Sequence, residues 1–597
     1  MEFDEKPLQI LLHFFDDLRV VFNRSLDHLE PWQVVMYTMS AILFIQWVRK
    51  IAKIDSESSV SRSWHNILMN VSTYSEKIEQ QKDAALKEIE EKLLRFDLRR
   101  EFYKFLPEKG LEVDDIVAEA TEYKTMGDPL FERGRVSGGV YNDDGVEEYK
   151  ELMLKIFALY SHSNANFVDI FPGIRKMEAE VIRMLCSLYH GPSKACGTIT
   201  TSATESIILA CNAYKNMAIK RGIRKPEIII GRNADVSFNE AAKLLGLRIV
   251  RVSMDENGCL DLASIKRAIS LETCMIVASA PSFVTGLMDD VEQIAKLGVR
   301  FGIPVHVDAS VGGFLLPFME QCDYAAPMYD FRLSGVTSIS IDLHKYAYCP
   351  VGSSAILYRE QNLLQAQCFS DVYWSGGVYI TPTLSGSRPG SLVALTWATL
   401  LWNGRLGYVE RTQRILDATL LLKEKLETSN HVEVIGTPLL SSIIFKTKNS
   451  KIHVYLLGDL MAELGWNLAF IQKPQALKIC ISLKQSSPEI ITEFCDDLNR
   501  CCERIERNAD QTPPPKMHAI YGVSSSFIDR GIIEDLPGLF LQIYYSTPLG
   551  TKVRSARTLS IEGRKLSSFP SGGTNLAALQ EQYNARKFST TLQPHIE

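Results

Sequence analysis

Lys345 closes the stretch Ser338-Ile339-Ser340-Ile341-Asp342-Leu343-His344, and Y-A-Y-C-P-V-G-S-S follows it. The alternation with Ile339 and Ile341 predicts a strand, and the Tyr-, Pro- and Gly-rich residues after it predict a turn. A primary amine on a rigid strand end, desolvated enough to be neutral, can bond to a carbonyl carbon. Pyridoxal 5'-phosphate is the cofactor whose aldehyde such a lysine holds. By itself a His-Lys pair describes an ordinary surface lysine; three other stretches alter that reading.

Thr200–Ser206 reads T-T-S-A-T-E-S, with Ser202 and Glu205 spaced as a helix capping box. A helix that starts there offers free N–H groups and a positive dipole end to a phosphate. His306-Val307-Asp308-Ala309 ends an apolar run in a carboxylate, 37 residues before Lys345. An acid at that sheet edge can pair with a pyridine nitrogen and keep the ring electron-poor. Thr383–Gly390, T-L-S-G-S-R-P-G, is a glycine-rich loop with Ser387 and Arg388, suited to completing an anion site.

These stretches need a scaffold that brings strand ends to one edge, and the chain predicts one. Helix 175–189, strand 197–201 and helix 204–220 are followed by strands at 227–230, 248–252, 274–278 and 304–307. Helices alternating with short apolar strands indicate an α/β domain with a mostly parallel sheet, which binds ligands at the C-terminal ends of its strands. A smaller α+β domain is expected after the helix that begins near Leu392. Its strands are predicted around 432–435, 440–446 and 477–483, with helices at 453–464 and 488–507. Thr512–Pro515 reads as a linker, 512–547 as a C-terminal extension and 548–597 as a disordered tail.

The 597 residues carry a formal net charge of −6 and 46% hydrophobic residues, without a basic, aromatic-laced patch, so nucleic-acid binding is not expected. The twelve cysteines show no metal-binding spacing and read as reduced thiols of a cytosol-facing protein; Cys349 reads as a structural thiol. Residues 1–31 are mixed in polarity. Trp32–Val48 then runs seventeen residues without a charge, followed by Arg49, Lys50 and Lys53. As a helix it would span about 25 Å, and its flanks place residues 1–31 in a lumen and the remainder in the cytosol. It is read as a single membrane anchor rather than a buried helix. Residues 49–145 form a connector and arm, including a charged helix over 74–105.

The motifs T-T-S-A-T-E-S, H-V-D-A, S-I-S-I-D-L-H-K-Y and G-S-R-P-G, in that order, resemble those of the sphingosine-1-phosphate lyases. G-R-V-S-G-G-V-Y (134–141) and D-I-F-P-G (169–173) add to the resemblance, which covers about 123–545. It implies a fold-type-I pyridoxal-phosphate enzyme, with a large domain at 146–391, a small domain at 392–511 and an N-terminal transmembrane helix at 32–48. It also implies a homodimer of the endoplasmic reticulum membrane that cleaves a phosphorylated long-chain base into phosphoethanolamine and a fatty aldehyde. Lys345 would hold the cofactor aldehyde, and Asp308 would pair with its ring nitrogen. Ala203, Thr204 and His344 would hold its phosphate, with Gly386 and Ser387 reaching in from a second subunit. Tyr141 would lie near the substrate phosphate.

The chain departs from the family pattern at several of these places. Ser202 and Ala203 stand where the family has two glycines, and Asp235 replaces the histidine that stacks on the cofactor ring. Phe167 replaces a loop histidine, and Val351 replaces a lysine used for the substrate phosphate. Two readings therefore stay open: an active lyase, and a degenerate member serving as a membrane-bound scaffold. Another pyridoxal-phosphate reaction, such as amino-acid decarboxylation, fits the anchor less well.

Overall fold

The structure, a computed structural model, describes residues 105–127, 132–139, 141, 146–449, 452–507 and 531–547, with isolated positions between 30 and 103. Most of the predicted span at 32–48, the helix at 74–105, the Thr512–Pro515 linker and the tail at 548–597 lie outside these residues. Among the described residues no helix is long and apolar enough to cross a membrane.

The chain divides into two compact units, one within 1–89 and 127–543 and a second within 90–126 and 544–597. In the second, helix Val113–Lys124 opens on Asp114 and Asp115 and closes on Lys124, charges that complement its dipole. The Tyr103 hydroxyl donates to Glu119 on that helix at 2.7 Å.

The first unit is built on a seven-stranded sheet. Its strands are β1 Cys196–Thr200, β2 Glu227–Gly231, β3 Arg248–Val252, β4 Thr273–Ser279, β5 Val305–Asp308, β6 Val336–Asp342 and β7 Ser354–Tyr358, in the order β1-β7-β6-β5-β4-β2-β3. The pairs from β6 to β3 are parallel, while β7 is antiparallel to both β6 and β1. Two reversals cancel, so β1 ends at the same edge as β2 to β6. The central strands β2 (E-I-I-I-G) and β4 (T-C-M-I-V-A-S) are near-continuous apolar runs because both of their faces are covered. Ile229, Ile276 and Ala278 pack into the core on one face, and Ile228, Ile230, Met275 and Val277 into the core on the other. Each such buried Ile, Val or Met side chain contributes about 1.5–3 kcal/mol.

Helices α1 Pro172–Leu188, α2 Ala203–Lys220 and α3 Ser237–Leu245 flank this sheet. A hairpin of β8 Phe369–Asp371 and β9 Tyr379–Thr381 precedes helix α4, Gly390–Thr428. Gly404 (φ 54°) kinks α4 into two helical segments, with a positive φ that a side chain would oppose. Beyond α4, strands β10 Val432–Val434, β11 Ser442–Thr447, β12 Ala469–Ile471 and β13 Ala476–Cys480 form an antiparallel sheet in the order β10-β11-β13-β12, and helix α5, Pro488–Arg507, follows.

The elements match the predicted ones to within a few residues. The hairpin, β12 and β7 have no predicted counterpart: the three-residue strands of the hairpin and β12 are too short to carry a period, and β7 lies directly behind the Tyr-, Pro- and Gly-rich turn, where the sequence reads as loop. The strand expected at 304–307 runs from Val305 to Asp308, which puts the acid inside the sheet rather than beyond it.

Candidate active site

Asp308 ends β5 with its side chain buried. Its Oδ1 accepts from the Ser310 amide at 3.2 Å, the Ser310 hydroxyl at 2.5 Å and the Ser340 hydroxyl at 3.1 Å. Ser340 is its neighbour across the parallel β5–β6 ladder. All three bonds converge on Oδ1, which leaves Oδ2 as the oxygen able to take a further donor. Burial, and next the Asp235 carboxylate, push the Asp308 carboxyl up to about 6; the Ser310 bonds and the Lys345 amine pull the other way. Two residues back on β5, fully buried His306 spans Ser338 Oγ (Nδ1, 2.7 Å) and Ser340 Oγ (Nε2, 3.2 Å). Burial pushes this imidazole down to about 3, so it is neutral and fixes the serine that in turn fixes Asp308.

Lys345 lies three residues beyond the end of β6. The Leu343 and His344 amides both donate to the Ser353 carbonyl, at 3.1 and 3.0 Å, folding the turn back on the chain. The His344 Nδ1 meets the same carbonyl at 2.9 Å; a carbonyl only accepts, so Nδ1 carries the proton. The Lys345 Nζ lies 2.8 Å from Asp342 Oδ2 and 5.8 Å from the centre of the Phe283 ring. Asp342 is buried and also accepts from the Ser354 hydroxyl on β7.

At the same edge, Ser202 caps α2 by accepting from the Glu205 amide at 3.2 Å. Glu205 Oε2 accepts from the Thr201 amide (2.7 Å) and hydroxyl (2.8 Å), and Oε1 accepts from the Leu384 amide at 3.1 Å. The capping box thus ties the glycine-rich loop to the start of the helix. The Thr204 and Ser237 hydroxyls are 2.9 Å apart, and Asp235 accepts from the Ser237 amide at 2.8 Å, which joins α2 to the Asp235 loop. Arg388 pins the other end of the glycine-rich loop, holding both carboxylate oxygens of Glu178 and the Ile199 carbonyl.

Lys345, His344, Asp308 and Asp235 are therefore assembled at one sheet edge, with Ala203 and Thr204 half-buried at the start of α2. An amine, a buried carboxylate with one oxygen unengaged and a helix start whose first N–H groups have no acceptor within the helix fit pyridoxal 5'-phosphate. Tyr141 is buried with its hydroxyl 3.9 Å from Cys480 Sγ and its ring 5.0 Å from Tyr346. Burial, then Cys480 and more weakly Asp342, push its hydroxyl far up. Gly386 and Ser387 are exposed; the Gly386 carbonyl accepts from Asn166 of the same chain at 3.1 Å. Phe167 and Val351 are surface residues of this chain, 55% and 79% exposed. Cys349 is buried and burial pushes its thiol up, in keeping with a structural thiol.

Asp342 and Lys478 are members of the site that the sequence reading had not assigned. Asp342 stands in the lysine motif, three residues before the amine. Lys478 is the lone charge in the apolar strand A-L-K-I-C, and that interruption is the signal it left. Its Nζ donates to the Phe283 carbonyl and sits 4.0 Å from the ring centre of that residue.

Residues 150–448 match the family model described as the pyridoxal-dependent decarboxylase conserved domain. The chain is 37% identical to mouse sphingosine-1-phosphate lyase 1 over 91% of its own length and 95% of that protein's. It is 34% identical to the Drosophila melanogaster sphingosine-1-phosphate lyase over 88% and 96%. The solved structure of a Burkholderia pseudomallei sphingosine-1-phosphate lyase superposes with a TM-score of 0.64 at 32% identity, covering 68% of this chain and 95% of the bacterial one.

Proposed function

The chain belongs to the sphingosine-1-phosphate lyase family, and on that premise we propose that it cleaves phosphorylated sphingoid bases, such as sphingosine 1-phosphate, in sphingolipid catabolism. It is a pyridoxal-phosphate-dependent carbon–carbon lyase that yields phosphoethanolamine and a fatty aldehyde. The observation that carries this reading is Lys345 held at one sheet edge with Asp342, within electrostatic reach of the buried Asp308.

When bound, pyridoxal 5'-phosphate supplies the electron sink for the bond that breaks. Lys345 presents the amine that holds the cofactor. With Asp342 as its counter-ion, it can carry the proton that C2 gains when the C2–C3 bond breaks and the C3 hydroxyl gives up its own. Asp308 would pair with the cofactor's ring nitrogen and keep it protonated, with Ser310, Ser340 and His306 fixing the carboxylate's orientation. Ala203, Thr204 and His344 hold the cofactor phosphate, and Tyr141 lines the substrate side. Asp235 takes the position of a ring-stacking residue, and Phe167 and Val351 stand at the family's substrate-binding positions.

Three further parts of the reading rest on sequence. The uncharged Trp32–Val48 run with Arg49, Lys50 and Lys53 beyond it supports a single-pass anchor in the endoplasmic reticulum membrane, N-terminus lumenal and catalytic body cytosolic. Gly386 and Ser387, exposed on their own chain, support a homodimer in which each subunit completes the other's phosphate site. The domain boundaries at 146, 392 and 512 follow from the same reading.

Incubating the purified protein and cofactor with a phosphorylated long-chain base, and assaying both products, tests the function. Release of phosphoethanolamine and fatty aldehyde in equal amounts is expected; amine loss or carbon dioxide release instead would assign another reaction.

A further inference from the structure

Lys478 is 4% exposed, on β13 of the small sheet, opposite Ile444 on β11 and Ala469 on β12. An ammonium is strongly hydrated, and burying it without compensation is costly. Two contacts with one residue compensate part of that cost, the Phe283 carbonyl as acceptor and the Phe283 ring as a cation–π platform. Phe283 follows β4, at the ligand-binding edge of the large sheet, so Lys478 reaches across from the small sheet to the rim of the site. The Lys345 and Lys478 nitrogens face the same ring at 5.8 and 4.0 Å from its centre, which places them within about 10 Å of each other.

The charges nearby agree with this placement. Desolvation holds the Lys478 amine below the usual lysine range and Lys345 pushes the same way, with Cys480 and Asp235 opposing them. Lys478 thus stands within electrostatic reach of the reactive amine and of Asp235. Its one described hydrogen bond, to the Phe283 carbonyl, engages one of the three N–H donors an ammonium carries. A nearly buried cation of this kind, beside a reactive amine, suits an anionic oxygen delivered by a ligand. Val351, at the position where the family resemblance implies a phosphate-binding cation, is apolar and 79% exposed.

We propose that Lys478 is the substrate-headgroup cation of this site: it binds the phosphate of the phosphorylated amine, from the small sheet, while Lys345 engages the cofactor. This rests on the proposed lyase reading. The phosphate lies two carbons from the amine that meets the cofactor, a spacing that the separation of the two lysines accommodates. The carboxylate of Asp235 is then offset by a second ammonium within electrostatic reach.

The test compares wild-type holoenzyme with Lys478→Met, which keeps an apolar stem against Phe283, and Lys478→Arg, which keeps the charge. Phosphoethanolamine and inorganic phosphate are the probes, titrated by calorimetry, and KM and kcat are measured with the phosphorylated long-chain base. Retention of the lysine-bound cofactor absorbance shows that each variant is folded and loaded. Losing one charge-assisted contact weakens binding about ten- to a hundredfold. Lys478→Met is therefore expected to raise the phosphoethanolamine Kd and the substrate KM by that factor with a smaller change in kcat, and Lys478→Arg to stay within a few-fold of wild type. Unchanged probe affinity in Lys478→Met overturns the assignment. If Lys478→Met loses the cofactor, Lys478→Gln takes its place, and unchanged probe affinity there overturns the assignment equally. Wild-type protein that binds the probes through Lys478 but releases no aldehyde would refute the lyase reading and leave this assignment standing.

Discussion

The Lys345 Nζ and the Asp342 Oδ2 are 2.8 Å apart, three residues from each other across the junction of β6 and the turn that follows it. The carboxylate is buried and braced by Ser354 on the neighbouring strand, so the amine is aimed by the sheet rather than by a mobile loop. Replacing Asp342 by Asn keeps the shape and removes the charge. Turnover is expected to fall about ten- to a hundredfold, the worth of one charge-assisted contact, while the cofactor remains attached to Lys345. Steady-state kinetics with a parallel absorbance spectrum check this; unchanged turnover would show that the pair only positions the resting amine.

Asp308 ties the site to pH. Burial and Asp235 raise its carboxyl to about 6, so it is ionised above that pH and protonated below it. Only the ionised form can hold a proton on the cofactor ring, so cofactor affinity should decline as pH falls through about 6. Asp235→Asn removes the repulsion, lets Asp308 ionise at lower pH and moves that acid limb downward. Cofactor titrations of the apo-protein across pH, in wild type and variant, measure the shift; a limb that stays in place would separate Asp235 from Asp308.

Arg388 is 8% exposed and holds Glu178 and the Ile199 carbonyl. Arg388→Met strands the Glu178 carboxylate, and breaking a buried pair on one side costs about 3 kcal/mol. Denaturant unfolding should record that loss. Limited proteolysis should cut within 383–390, the loop whose Arg388 end is released. A variant with wild-type stability and an intact loop would mean that the pair is not needed to hold it.

Val351 tests the headgroup assignment from the other side. Its side chain is mostly in solvent, where an added cation is screened and contributes little. Val351→Lys is expected to change KM for the phosphorylated base by less than about threefold, within the range of a surface ion pair. A gain of tenfold or more would place the phosphate at 351 rather than at Lys478.

Much of this site was legible in the sequence because strand ends and helix starts carry local chemistry. Ser202 and Glu205 are three apart, and the cap forms as that spacing requires. Asp308 and Lys345 end apolar runs, and the sheet brings them to one edge because β5 and β6 are parallel neighbours. Lys478 was not legible as a site residue. Its role depends on β13 being packed against the loop after β4, almost two hundred residues earlier in the chain, a contact that no periodicity encodes. The tie between Glu205 and Leu384 is hidden for the same reason, since a capping box specifies the near partner of a carboxylate and not the far one.

The most direct test of the account is the assay of a phosphorylated long-chain base with wild-type protein and with Lys345→Ala, both supplied with pyridoxal 5'-phosphate. Wild type should release equal amounts of fatty aldehyde and phosphoethanolamine and show the absorbance of lysine-bound cofactor, and Lys345→Ala should show neither. No aldehyde from wild type, or aldehyde release that persists without Lys345, would contradict it.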